Sequence, residues 1–156
     1  MTVAALYIDP RGPYPRLLGK SNCWGLDRDA TLYPGPHPVV AHPPCGPWGR
    51  IKHLYQGAEH ELAPIAVEQV RTWGGVLEHP ARSGLWKQCR LPLPYAGLDA
   101  LGGFTVEVNQ CDWGHVAPKK TWLYVSTRAP KGNVGARRRL SHGGSSLSQK
   151  GVSNGI

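Results

Sequence analysis

Three short apolar runs in this chain each end in polar residues and proline. VAALYI (3–8) runs into Asp9-Pro10, VVAH (39–42) into Pro43-Pro44, and GVLEHP (75–80) closes on Glu78, His79 and Pro80. Proline donates no backbone hydrogen bond and turns its predecessor away from helix, so each run reads as a short buried strand halted at its carboxyl end. Side chains just beyond such ends are where open α/β sheets bind ligands and do chemistry.

Between the second and third runs, AEHELAPIAVEQVRTW (58–73) carries Leu62, Ile65, Ala66, Val70 and Trp73 at intervals of three and four, the stripe of an amphipathic helix. Gly74-Gly75 closes it, and the first turn begins either near Ala58 or at about Pro64. Strand, helix, strand in this order predicts a βαβ unit. Downstream, RSGLWKQCRLPLP reads as a short helix or turn and a loop. GFTVEVNQCDWGH and KKTWLYVST, joined through GHVAP, read as a hairpin or strand pair. The stretch from Asp9 to Pro38 is so rich in proline and glycine that no long regular element is expected there.

The fold these patterns predict is α/β: a small, mainly parallel sheet with flanking helices, a C-terminal β-hairpin and a flexible basic tail. Residues 1–127 form a single domain, and residues 128–156, basic and then Gly/Ser-rich, are expected to be disordered. Lys and Arg number 18 against 10 Asp and Glu, a formal charge of +8 that favours anionic partners, with DNA or a nucleotide first. Part of that charge is in the tail, in Arg137, Arg138 and Arg139. No apolar run approaches a membrane span, no signal peptide precedes the four scattered cysteines, and a cytoplasmic protein with free thiols is expected.

Cys45 follows the second strand and a rigid Pro-Pro turn, so its thiol is fixed at the sheet edge, where a nucleophile belongs. A small buried hydrophobe accounts for the same cysteine. Glu78 ends a neighbouring strand of the same unit, and a parallel arrangement brings it to that edge. Trp48 and Trp113, in glycine-containing loops, suit either stacking on a base or loop packing. Asp9 and Arg11 after the first strand suit a ligand's hydroxyl and phosphate or carboxylate, or simply a structural turn. A metal reading competes: His42-x2-Cys45 and Cys111-x3-His115 each have the spacing of half a zinc tetrahedron.

The order PPCGPWG, LEHP, VNQCDWGHVAPKKTWLYV resembles the catalytic half of the DNA (cytosine-5)-methyltransferases, in three short blocks over roughly residues 39–126. The resemblance implies a compact methyltransferase-like domain that modifies a pyrimidine base in DNA or in a nucleotide. Cys45 would attack C6, and Glu78 would bind and protonate N3. The C5 atom would then accept a methyl group from S-adenosylmethionine and lose its proton. Lys119 and Lys120 fall on the family's basic hairpin pair, where the family has arginines, and EHP stands where the family has ENV. The base pocket would draw on Pro44, Trp48, His79, Trp113, Lys119 and Lys120, and the cofactor corner on Asp9, Arg11 and Gly12. The family's F-x-G-x-G loop is replaced here by LYIDPRGPYPRLLG. A non-catalytic nucleic-acid or nucleotide binder that has lost the cofactor site is therefore the second expectation.

Overall fold

The computed structural model describes residues 1–49, 52–57 and 59–128. The tail called disordered, from residue 129 onward, lies outside the described residues, as does Ala58.

The chain forms an α/β fold with one six-stranded sheet and few helices. The three proline-halted runs are strands: β1 (Ala4–Ile8), β3 (Val39–Ala41) and β4 (Gly75–Pro80). A short helix, α1 (Tyr14–Leu18), and a three-residue strand, β2 (Cys23–Gly25), lie in the proline-rich stretch. The amphipathic segment is α2 (Leu62–Trp73), RSGLWKQC contains α3 (Gly84–Gln88), and the hairpin is β5 (Gly103–Asn109) with β6 (Lys120–Ser126). Pro64 is tolerated as the third residue of α2 because amides of a first turn lack intrahelical acceptors.

Strand order is β2-β1-β3-β4-β6-β5. The pairings β1 with β2, β1 with β3 and β3 with β4 are parallel, whereas β4 with β6 and β5 with β6 are antiparallel. The sheet is therefore mixed, and the expected mainly parallel arrangement holds only for its first four strands. The reason is the hairpin, which inserts its second strand beside β4 instead of its first. Two reversals restore the direction, so β5 runs the same way as β4. Its carboxyl end, the start of β6, and the carboxyl ends of β1 to β4 all lie on one edge.

Helix α2 packs on β3 and β4 and buries Ala63, Ala66, Val67 and Val70 in a core that includes Leu6, Leu77 and Tyr124. It ends in two glycines that the geometry requires. Gly74 (φ 77°) caps the helix, and at Gly75 (φ 115°) a Cβ would stand 1.9 Å from the Val39 carbonyl oxygen. That close approach is what lets β4 start directly alongside β3.

Candidate active site

Pairing between β3 and β4 matches Val39 with Gly75, Val40 with Val76 and Ala41 with Leu77. One further step of this register brings His42 level with Glu78, and the His42 amide still donates to the Leu6 carbonyl of β1 at 3.0 Å. The side chains meet: His42 Nδ1 lies 3.3 Å from Glu78 Oε2, with 29% and 21% of the two side chains exposed. From α1, the Tyr14 hydroxyl closes on His42 Nε2 at 2.5 Å.

The other carboxylate oxygen of Glu78 is met from the hairpin. Gln110, the first residue after β5, donates from Nε2 to Glu78 Oε1 at 3.1 Å and to Thr121 Oγ1 at 2.9 Å, and Lys119 Nζ stands 3.8 Å from the same Oε1. Burial pushes the Glu78 carboxyl up, but the His42 hydrogen bond and then the charge of Lys119 lead the effects that outweigh it. The net result is a carboxyl below its usual range and an ionised group at neutral pH.

His79 does not share this environment. Successive strand residues face opposite sides of a sheet, so Glu78 looks toward the edge cluster while His79 joins Leu77 in the interior, with 0% exposure, beside Trp86. Neither ring nitrogen has a hydrogen-bond partner among the described residues. Burial drives its pKa down to about 4 against the opposing pull of the Pro44 carbonyl and Glu78. The imidazole is a neutral core group, and the expected base contact from His79 is corrected accordingly.

Cys45 is exposed just past β3, where its carbonyl accepts from the Trp48 and Gly49 amides and starts the turn Gly46–Trp48. It is not the buried hydrophobe of the bland reading, and all four cysteines are free thiols. Trp48 is half-buried against the core, and its Nε1 has no partner among the described residues, so packing takes up most of a ring expected to stack. The zinc reading finds no geometry to support it. The ring nitrogens of His42 are engaged by Tyr14 and Glu78, Cys111 Sγ sits between Asn109 and Asp112, and His115 Nδ1 faces the Ala117 carbonyl. Among the described residues, no group of three or more His, Cys, Asp or Glu is placed to hold a metal ion.

A cavity of about 630 Å³ opens at the carboxyl ends of β1 and β2, walled by Tyr7, Asp9, Arg11, Leu26, Asp29 and Pro44 among others. Strand order turns at β1, from β2 on one side to β3 on the other, and such a reversal opens a crevice. Tyr7 marks it with a φ of 58°, strained for an aromatic residue, where the β1 to β2 register slips between Leu6 and Ile8. The Tyr7 hydroxyl is tied to Gln69 at 2.8 Å. Asp9 and Arg11 reach the cavity already paired, at 3.1 Å, and the guanidinium hydrogen bond holds the Asp9 carboxyl below its usual range. Gly12 only completes their turn, its amide donating to the Asp9 carbonyl. Its mostly apolar wall carries three carboxylates, those of Asp9, Asp29 and Glu59, beside the Arg11 guanidinium.

The basic pair splits. Lys119 faces Glu78, whereas Lys120 pairs with Glu107 at 3.1 Å on the hairpin, where Trp122 Nε1 also donates to Glu107 at 2.9 Å. The two expected substrate contacts thus part at the start of β6, Lys119 toward Glu78 and Lys120 into an ion pair with Glu107. Trp113, at the end of the turn Gln110–Trp113 on the hairpin connection, is 84% exposed and free to stack. Tyr14, Gln110 and Asp29 are site residues that sequence reasoning missed. Gln110 alone had a signal, as the last polar residue before a Cys-Asp-Trp-Gly turn at a strand end.

Comparison with protein-family models, with curated proteins and with solved structures finds no match. Among the described residues no helix is long and apolar enough to cross a membrane.

Proposed function

We propose that this chain is a compact cytosine-5-methyltransferase-like enzyme that modifies a pyrimidine base, in DNA or in a nucleotide, through a covalent adduct at Cys45. The observation that carries this reading is the shared edge. An exposed thiol follows β3, and an ionised carboxylate stands near the end of its parallel neighbour β4, its orientation fixed by hydrogen bonds with His42 and Gln110 and by the nearby charge of Lys119. The thiolate adds to C6 of the pyrimidine while Glu78 holds N3 and passes it a proton taken up from its hydrogen-bonded neighbours, which makes C5 nucleophilic. Bound in the adjoining cavity against Asp9, Arg11 and Asp29, S-adenosylmethionine would supply the methyl group. Pro44 belongs to that cavity wall and precedes Cys45, so the two corners adjoin. Lys119 and the exposed ring of Trp113 offer contacts to phosphate and to a base. A flipped or single-stranded base is the accessible substrate for such an open edge.

The test is trapping. Wild-type protein mixed with S-adenosylmethionine and an oligonucleotide or nucleotide carrying 5-fluorocytosine gains the mass of the adduct under denaturing conditions, and Cys45→Ser does not. No adduct in wild type with either substrate sinks the reading.

A second reading has its own observation. Asp9 and Arg11 satisfy each other, and no glycine-rich loop follows β1, as in a binder that has lost its cofactor site. It predicts that Cys45→Ala binds oligonucleotide as wild type does, with affinity that falls steeply with salt. Calorimetric titration with S-adenosylmethionine separates the two: binding favours the enzyme, and silence at millimolar ligand favours the binder.

A further inference from the structure

The chain of contacts running from Tyr14 through His42 to Glu78 has a defined direction. Glu78 is an acceptor on both oxygens, so the His42 nitrogen facing it, Nδ1, carries a proton. Nε2 then either accepts from the Tyr14 hydroxyl or, in the imidazolium, donates to Tyr14 Oη. The ring is clamped at both nitrogens, each by a group from a different element: α1 on one side and β4 on the other.

We propose that His42 is a positioning residue that keeps one exchangeable proton on the His42 and Glu78 pair for delivery to N3 of the bound pyrimidine. The proposal rests on the adduct reading above. The Cys45 thiolate forms the S to C6 bond, the C5=C6 electrons move to C5 and C4, and the C4=N3 pair moves onto N3. The proton that N3 takes starts on His42 as the imidazolium and passes from Nδ1 through the Glu78 carboxylate, which ends ionised as it began. His42 is left neutral, with its remaining N–H on Nε2 donated to Tyr14 Oη, so protons and charge balance. The charged and titratable groups facing the pair are Tyr14 from α1 and Lys119 from the hairpin, while His79, the next residue of β4, turns away into the core. Lys119 favours the ionised carboxylate. Without His42, Glu78 at neutral pH would have no proton to give.

The pH dependence of adduct formation with the 5-fluorocytosine oligonucleotide tests this. His42→Asn keeps an amide donor toward Glu78 but no titratable proton. The proton must then be held by a carboxyl alone, so the rate at neutral pH falls by roughly 100-fold. The alkaline limb moves toward acid. A wild-type profile in His42→Asn overturns the proposal and leaves the adduct reading standing, whereas absence of adduct in wild type overturns both. Two further measurements hold if His42→Asn fails to fold. Tyr14→Phe, which leaves His42 in place, displaces the same limb. Side-chain ¹⁵N spectra of the wild-type protein at neutral pH show His42 protonated on Nδ1, and a bare Nδ1 overturns the proposal without reference to activity.

Discussion

Gln110 Nε2 donates to Glu78 Oε1 at 3.1 Å across 32 residues of sequence, and the same amide reaches Thr121 Oγ1 at 2.9 Å. One side chain thereby joins the end of β5 to the start of β6 and to the carboxylate on β4. The hairpin sets the orientation of the acid.

Gln110→Ala is expected to slow adduct formation by about tenfold with little change in oligonucleotide affinity, because Glu78 keeps His42 and Lys119 but loses its fixed angle. The loss of these hydrogen bonds costs about 1 kcal/mol of stability. Rates of adduct formation and denaturant midpoints check the two effects separately. An unchanged rate would remove Gln110 from the site.

His79 makes stability depend on pH in a defined window. Its folded pKa, about 4, lies below the ordinary 6.5, so the unfolded chain binds the extra proton between these values and stability is lost as pH falls from 6.5 to about 4. The gap corresponds to roughly 3 kcal/mol. Urea denaturation of wild type and His79→Leu across this window is expected to show a flatter pH dependence for the variant. Equal slopes would mean that His79 finds a partner in solution.

The two lysines are expected to separate in function. Lys119→Ala removes a positive charge 3.8 Å from Glu78 Oε1 and changes the pH profile of adduct formation, whereas Lys120→Ala disturbs only the ion pair with Glu107 and leaves the rate within about twofold. Parallel pH-rate profiles of the two variants check this, and matching effects would count against it.

Gly75→Ala is expected to cost about 3 kcal/mol or more, since the new Cβ meets the Val39 carbonyl and the residue's φ is positive. Thermal unfolding measures it, and a shift of less than a degree would show that β3 and β4 can part without penalty.

The strand ends, α2 and the hairpin were legible because proline, a three-to-four periodicity and β-rich runs are local signals. Strand β2 was not: its three residues carry no periodicity and form a strand only by pairing with β1. Cys45 and Glu78 were legible as members of one edge because parallel strands carry their ends to the same side. Tyr14 was not, and Gln110 only as a polar residue at a strand end, since each reaches the cluster over 28 or more residues, through pairing that no short stretch encodes. His79 and Lys120, both expected at the substrate, lie in the core and in an ion pair with Glu107, since successive strand residues face opposite sides and the chain turns into β6 at Lys120.

The single reversed strand also decides where the chain leaves the domain. Strand β6 begins level with Pro80 and Asn109 at the carboxyl ends of β4 and β5 and ends at Ser126, level with Gly75 and Gly103 at their amino ends. Seven residues of extended backbone span roughly 20 Å, so Arg128 departs from the edge opposite the thiol. The chain's exit and the Cys45 thiol therefore lie at opposite edges of one sheet.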